Sequence, residues 1–347
     1  MRKFVFKMLL FLLPIFFLGI VETCFLPINF FAYRNWEAIM NKSDLPHYGI
    51  FYHNKVLVSN EVGDLGHHTN HEVVKNVVWK TDNLGFRNDS IPKNPEIVII
   101  GDSFINGTSL SQEDIFSNQL IKSFGNTKSV YAMAPMDFDN FFEYLSKGLI
   151  KKPKTIVFSI VERNNPLTLQ NEIVTKSVKQ NIKDKIKSTN VSEYSDRFFR
   201  FYSLEWLKSR IHQSSGKGVL AKDNSQLLFH SDGNHKIKTD KEIDEIANII
   251  LSYKNKCKTN GIKFVFLPMP NKETVYYRSL LLNNQPDYLI KLHEKLIKKE
   301  VLSFNTLAIY NKATKGKIYY HTDDTHWNKE GVKLIAKSFS EFIIKNN

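Results

Sequence analysis

Ser103 and His326 are the residues whose types could carry out acyl chemistry if the fold brings them together. Ser103 lies in the run GDSF, and His326 lies in the run DDTHWN behind two aspartates, Asp323 and Asp324. A serine hydroxyl is a weak nucleophile at neutral pH and needs a neighbouring base, and a histidine base needs a carboxylate that orients it. Either aspartate could reach the imidazole from a turn, so the two segments hold every group that acyl-serine chemistry requires.

Each segment also has a structural interpretation without chemistry. The GDSF run is compatible with a plain turn, the aspartates or Asn328 could cap a helix, and His326 could be a surface histidine. The placement of the two segments favours chemistry, because Ser103 directly follows a predicted strand and His326 precedes the final helix, which starts near Lys329. A doubly wound sheet can bring two such loops to one edge, where α/β folds place their sites.

Strand and helix patterns alternate after residue 95. Short apolar runs typical of parallel strands buried on both faces occur at Glu96–Gly101, Ser129–Met133, Thr155–Val161 and Lys263–Leu267, with Ser303–Leu307 a weaker candidate. Helix-period stretches occur at Gln112–Phe124, Phe138–Lys151, Glu242–Thr259, Pro286–Glu300 and Gly331–Lys345. The alternation predicts an α/β fold with a central parallel sheet covered on both faces.

The N-terminus has the pattern of a membrane anchor. A basic flank with Arg2, Lys3 and Lys7 precedes an apolar stretch, and Met8–Phe31 is long enough for one span if Glu22 lies near the outer interface. The basic flank predicts a cytoplasmic N-terminus and a single-pass protein whose catalytic domain lies outside the cytoplasm, periplasmic or extracellular. A cleaved signal peptide and a buried core helix are the alternatives, but no A-x-A-like cleavage site follows the apolar run.

We predict three parts in the chain. Residues 1–34 form the membrane anchor, 35–90 an irregular lead-in segment and 91–347 the α/β domain. Lysine-rich, aromatic residues at about 167–241 interrupt the alternation and predict a helical insertion. The lead-in contains His67, His68 and His71, which we interpret as a surface loop because no further ligand stands at a telling spacing.

Composition narrows the classes of function. The 347 residues include 42% hydrophobic residues and two cysteines, which excludes bulk disorder and a disulfide framework. The formal net charge is +13, but the lysines are scattered along the chain rather than gathered in one arm. We predict no cofactor, no metal site and no nucleic-acid partner, since an exported domain does not meet nucleic acid.

Taken together, the motifs resemble the SGNH (GDSL-like) hydrolase superfamily. The GDSF run and the D-x-x-H or D-x-H spacing are similar to the superfamily, and DTHWN followed by Gly331 is similar to its alginate O-acetyltransferase-like branch. The runs LPMPNK, ending at Lys272 and followed by Tyr276, and NLGFR, ending at Arg87, are also similar to that branch and to related exported proteins. The resemblance implies a flavodoxin-like three-layer sandwich with a central parallel sheet.

The resemblance also implies an activity. It implies a membrane-anchored O-acetyltransferase or esterase that acts on a cell-surface polysaccharide, with Ser103 as nucleophile, His326 as base and then acid, and Asp324, in preference to Asp323, as the residue that orients His326. Relatives often work beside a membrane-bound O-acyltransferase, which is the expected partner. The alternative is a catalytically inactive glycan-binding or assembly partner of such an enzyme.

The oxyanion donors do not follow the superfamily pattern. SGNH enzymes usually supply a glycine after the second strand and an asparagine after the third, but residues 130–140 contain no glycine. The backbone N–H of Ala134 could replace that donor, since the interaction needs no particular side chain. After the third strand, Asn164 or Asn165 could donate, and Arg163 could neutralise the oxyanion or bind sugar.

Two further residues are candidates for substrate contact. Trp327 lies beside the proposed site and could either stack on a sugar ring or pack in the core. Lys272 follows the fourth core strand, and it could steer an anionic polymer or be an ordinary solvated lysine.

Overall fold

The computed structural model begins with one long apolar helix. The residues it describes are 2–29, 32, 34–41, 48–164, 166, 198, 215–223, 225–230, 238–282, 284–313 and 316–346. The first helix, Arg2–Phe25, has exposed apolar side chains and is, by length and composition, able to cross a membrane. It ends earlier than the predicted span, because Pro27 disfavours helical backbone at the residue before it.

The lead-in segment contains a β-hairpin that the sequence analysis missed. Strand β1 (Val56–Glu61) pairs antiparallel with β2 (Lys75–Lys80). Along β1 exposed and buried side chains alternate, as expected for a sheet with one face covered. The buried side packs in a small core with Trp79 and Phe51, so the expectation of an irregular lead-in is wrong.

The central sheet has four parallel strands. They are β3 (Ile97–Ile100), β4 (Val130–Met133), β5 (Thr155–Val161) and β8 (Lys263–Met269), in the spatial order β4-β3-β5-β8. This is the beginning of the flavodoxin-like order, in which the first strand lies between the second and the third. Every side chain of β3, β4 and β5 is buried, so both faces of the sheet are covered. The predicted α/β class with a parallel sheet is confirmed.

Helices pack on the sheet in two groups. Phe116–Ser123 packs against the last helix, Lys329–Lys345, while Asp240–Thr259 packs against Tyr288–Lys298 and β8. The ring of Phe138, in the helix Phe138–Ser146, stacks on Tyr253 of the second group. Among the described residues, the shorter α-helices are Ser103–Asn106, Lys272–Val275 and Thr306–Ala313, and the 3-10 helices are Asn35–Ile39, Gln112–Asp114 and Tyr277–Leu280.

The later part of the chain bears on two expectations, a strand at Ser303–Leu307 and a helical insertion at about 167–241. Ser303–Leu307 is not a strand: Ser303 makes an isolated parallel bridge to Phe266, and a helix begins at Thr306. Most of the predicted insertion at about 167–241 lies outside the described residues. Its described end forms a short antiparallel hairpin of β6 (Gly218–Leu220) and β7 (Leu228–His230).

Candidate active site

The turn after β3 fixes the position of Ser103. Asp102 caps the helix that Ser103 begins: its Oδ1 accepts the N–H of Phe104 at 3.0 Å, and its Oδ2 accepts the N–H of Val161, at the end of β5, at 2.8 Å. Gly101 is required by close packing, since a Cβ there would lie 2.5 Å from a side-chain carbon of Ile105. The sheet edge and the cap together set the direction of the serine side chain.

The loop before the last helix brings His326 to the same edge. Ser103 Oγ lies 2.9 Å from His326 Nε2, although 223 positions separate the two residues. On the other side of the ring, His326 Nδ1 lies 2.6 Å from Asp324 Oδ1, which also accepts the His326 backbone N–H at 3.1 Å. The hydroxyl, the imidazole and the carboxylate therefore form one hydrogen-bonded row.

Asp324 is fully buried and is held in its ionised form by its surroundings. Its Oδ2 accepts the N–H of Asp64 at 3.3 Å and the hydroxyl of Ser109 at 3.5 Å. Burial alone would raise the pKa of Asp324, but the charge and hydrogen bond of His326 and the charge of Lys75 hold that pKa well below its usual range. The lead-in segment thus supplies part of this site, a contribution that no sequence signal indicated.

Asp323 has a different role from its neighbour. Its carboxylate forms an ion pair with Lys75, at 2.7 and 2.8 Å, and its Oδ2 accepts the N–H groups of Gly63 and Val73. A Cβ at Gly63 would lie 2.2 Å from the Asp323 carbonyl oxygen, so the contact needs a glycine. Asp323 joins the His326 loop to the lead-in, and the structure favours Asp324 as the partner of the imidazole.

Arg87 holds the loop that follows Ser103, and this role was not predicted. Its guanidinium is buried and lies 3.6 Å from the Trp79 ring centroid. It donates hydrogen bonds to the carbonyls of Asn106, Gly107 and Leu110 at 3.1, 2.6 and 2.5 Å. Burial lowers the pKa of Arg87 to about 9, and nearby carboxylates oppose this effect. The sequence signal for this residue was the NLGFR run, which ends at Arg87 and indicated a family resemblance but no role.

Lys272 does not face a substrate cleft. Its side chain is fully buried, and Nζ donates to the carbonyls of Leu228, His321, Thr322 and Asp324 at 2.6 to 3.0 Å. Both sequence interpretations, steering of an anionic polymer and an ordinary solvated lysine, are therefore wrong. Burial lowers the pKa of Lys272 to about 7, opposed chiefly by the Asp324 charge. Four acceptors favour the ammonium form, which has three N–H donors.

Trp327 packs in the core. Its ring is fully buried, stacks on Phe116 with centroids 5.4 Å apart, and its Nε1 donates to the carbonyl of Phe104 at 3.1 Å. Of the two interpretations, core packing is therefore correct and the sugar platform is not. The neighbouring Tyr320 is also buried and donates to the Pro270 carbonyl at 2.7 Å.

The oxyanion candidates occupy different positions. Ala134 directly follows β4, beside Gly101 in the parallel register. Asn164 donates its amide to Asp102 Oδ2 at 3.3 Å, and Asn165 lies outside the described residues. Arg163 is partly exposed, lies 5.6 Å from the Phe104 ring centroid and, among the described residues, donates long hydrogen bonds to Asn271 and Thr325 at 3.4 and 3.5 Å. Its guanidinium therefore lies beside the helix that Ser103 begins.

Comparison with known families gives a match over the C-terminal part of the chain. Residues 224–346 match the model of a family described as the SGNH hydrolase-like domain of the acetyltransferase AlgX. Over this range, the chain is similar to an SGNH hydrolase. The match covers about a third of the chain and includes Asp324 and His326 but not Ser103. The family resemblance indicated by the motifs is confirmed for this range, whereas a search of curated proteins returns no match.

The solved structures that match this chain are distant. They include a lipolytic protein of the G-D-S-L family from Desulfitobacterium hafniense (14% identity, TM-score 0.37, 72% of this chain and 99% of that chain covered). An acetylxylan esterase from Geobacillus stearothermophilus (12%, 0.36, 73% and 95%) and a lipase/acylhydrolase from Enterococcus faecalis (12%, 0.37, 73% and 96%) are others. At these TM-scores and identities, the three structures decide neither the fold nor the function of this chain.

Proposed function

We propose that this protein is a serine O-acetyltransferase or esterase that works through an acyl-serine intermediate. The observation that carries the proposal is the row of Ser103 Oγ, His326 and Asp324, with contacts of 2.9 and 2.6 Å. A base within hydrogen-bond reach of the hydroxyl, itself oriented by a buried carboxylate, is the arrangement that activates a serine.

The first half-reaction follows from these contacts. His326 Nε2 accepts the proton of Ser103 Oγ while Oγ forms a bond to the acetyl carbonyl carbon, and the carbonyl oxygen becomes an oxyanion. Asp324 stabilises the imidazolium that results. The tetrahedral intermediate then expels the donor oxygen, which takes the proton from His326, and the acetyl group remains on Ser103.

The second half-reaction decides between transferase and esterase. His326 removes a proton from a sugar hydroxyl or from water, and the oxygen attacks the acetyl carbonyl. The tetrahedral intermediate collapses, Ser103 Oγ leaves, and it recovers its proton from His326. A sugar acceptor yields an O-acetylated glycan and water yields acetate, so the same residues serve both outcomes.

The oxyanion requires donors near Ser103. We assign the backbone N–H of Ser103 to this role, with Ala134 N–H and the Arg163 guanidinium as the further candidates. Asn164 already donates to Asp102, so we assign it to bracing of the turn instead. Loss of one oxyanion donor typically costs about 2.7 to 4 kcal/mol of transition-state stabilisation.

The N-terminal helix and the family match support the proposed location and substrate. The helix Arg2–Phe25 carries basic residues at its start and supports a membrane-anchored protein whose site lies outside the cytoplasm. The family described as an acetyltransferase supports acetyl as the acyl group. We therefore propose a surface polysaccharide as the substrate and a membrane-bound O-acyltransferase as the partner that delivers the acetyl group.

One assay separates the two activities. The full-length chain in detergent is incubated with an activated acetyl ester, with and without the surface polysaccharide, and both free acetate and glycan O-acetyl groups are measured. We expect ester turnover that S103A abolishes, with O-acetylated glycan if the protein is a transferase. A folded wild-type protein that neither hydrolyses the ester nor acetylates the polysaccharide would contradict the proposal and favour an inactive glycan-binding partner.

A further inference from the structure

Lys272 is a buried cation that is bound to the backbone of the loop carrying Asp324 and His326. Three of its four acceptors are carbonyls of that loop, those of His321, Thr322 and Asp324, at 2.6, 3.0 and 3.0 Å. The fourth is the carbonyl of Leu228, at 2.7 Å. The ammonium therefore fixes four backbone oxygens, one of which belongs to the residue that orients the imidazole.

The backbone of Lys272 is attached to the central sheet. Lys272 begins the helix that follows β8, the strand paired with β5 in the parallel sheet. Thr322 also accepts the N–H of Leu228 at 2.8 Å, so one carbonyl is held from two directions. The loop is consequently tied to the sheet at Lys272 and to the lead-in hairpin at the Asp323–Lys75 ion pair.

Lys272 and Lys75 are bound differently. Lys75 donates to the carboxylate of Asp323 and neutralises it. Lys272 makes no carboxylate contact among the described residues, so its charge is not cancelled by a direct partner. That charge lies directly behind the Asp324 main chain, where it favours the ionised carboxylate.

We infer that Lys272 is a positioning residue for the Asp324–His326 pair. It holds the loop backbone so that the imidazole points at Ser103, and its positive charge favours the ionised Asp324 carboxylate that accepts from the imidazole. The inference rests on the proposed function for its kinetic consequence, but the effect on His326 can be measured without turnover.

The test uses the full-length chain in detergent and two variants. K272M keeps the approximate length and removes both the donors and the charge, whereas K272Q keeps two N–H donors and removes only the charge. Lys238 is the matched control, because its Nζ also donates to a backbone carbonyl at this sheet edge, that of Glu162 at 2.7 Å, but does not touch the loop. Circular dichroism establishes that each variant is folded.

The kinetic result expected is a loss in kcat. K272M lowers kcat for an activated acetyl ester by about 10- to 100-fold with little change in KM, because a displaced base slows the chemical step. K272Q retains more kcat than K272M, because it keeps two of the N–H donors that hold the loop. K238M leaves kcat at its wild-type value.

The second readout is the NMR signal of the His326 ring proton that is hydrogen-bonded to Asp324, with H326N for assignment. This signal should shift or broaden in K272M, change less in K272Q and stay unchanged in K238M. If wild type lacks turnover but the signal changes in the Lys272 variants, the proposed function fails and the inference stands. Folded variants with wild-type kcat and an unchanged His326 signal would overturn it, as would loss of the fold in both variants, which would assign Lys272 to global stability.

Discussion

Asp324 Oδ1 lies 2.6 Å from His326 Nδ1, while the carboxylate of the preceding Asp323 faces the other way, onto Lys75. Two adjacent aspartates thus serve two purposes, orientation of the imidazole and attachment of the loop to the lead-in. The contrast provides a matched pair of variants for testing the roles assigned here.

We expect D324N to lower kcat by about 10³- to 10⁴-fold, because the amide favours the wrong imidazole tautomer. D323N should instead lower the free energy of unfolding by about 3–5 kcal/mol, since it leaves the largely buried Lys75 without its partner. Ester kinetics and urea denaturation of both variants give the comparison. The opposite assignment, with D323N as the catalytic defect, would show that His326 uses the other aspartate.

Arg87 should contribute stability through the loop that follows Ser103. R87M leaves several buried carbonyls without a donor, and we expect the free energy of unfolding to fall by at least about 3 kcal/mol. The control R278M changes an exposed arginine and should stay within about 0.5 kcal/mol of wild type. Chemical denaturation measures both, and equal stability of R87M and R278M would contradict the assigned role.

Trp327 should affect stability and not glycan binding. W327F removes the indole N–H that Phe104 accepts and part of the stacked ring, so we expect a loss of about 1–3 kcal/mol. The KM for the polysaccharide should not change. A raised KM at unchanged melting temperature would restore the sugar-platform interpretation.

Glu162 should make stability depend on pH. Burial raises its pKa to about 7, so between about pH 4.5 and 7 the folded protein binds a proton that the unfolded chain has lost. Stability from this group is therefore present at low pH and declines by about 3 kcal/mol as pH rises through that window. E162Q, which mimics the protonated acid, should lack that part of the decline.

The measurement is urea denaturation at pH 5 and pH 8 for wild type, E162Q and E341Q, the last of which changes an exposed glutamate on the final helix. Glu61 also has its pKa raised to about 7 by burial, so a residual decline of the same sign is expected in E162Q. Identical pH dependence in all three proteins would mean that Glu162 is ionised in the fold.

Features whose sequence signal lies within one segment could be predicted, and features that depend on contacts between segments could not. The core strands such as Thr155–Val161 were predictable because burial on both faces leaves an uninterrupted apolar run. Strand Val56–Glu61 was not, because only alternate residues are buried and the side chains that cover them, such as Phe51 and Trp79, come from neighbouring segments without a clear period. Ser103 and His326 were found by residue type and position relative to strands and helices.

Assignments that depended on burial were wrong for Lys272 and undecided for Trp327. Lys272 and Trp327 follow polar or loop-like sequence, and nothing near them in the chain shows that carbonyls and rings from other segments enclose them. The contributions of Asp64 and Lys75 to the site were missed for the same reason, since they lie about 250 positions from the loop that they bind.

The most direct measurement of the central claim is the mass of the protein after reaction with an activated acetyl ester. The full-length wild type is quenched in acid, digested and examined by mass spectrometry. We predict an acetyl adduct on Ser103 that forms slowly in H326N and not at all in S103A. Folded wild-type protein without an adduct on Ser103, or an adduct elsewhere that persists in S103A, would contradict the account.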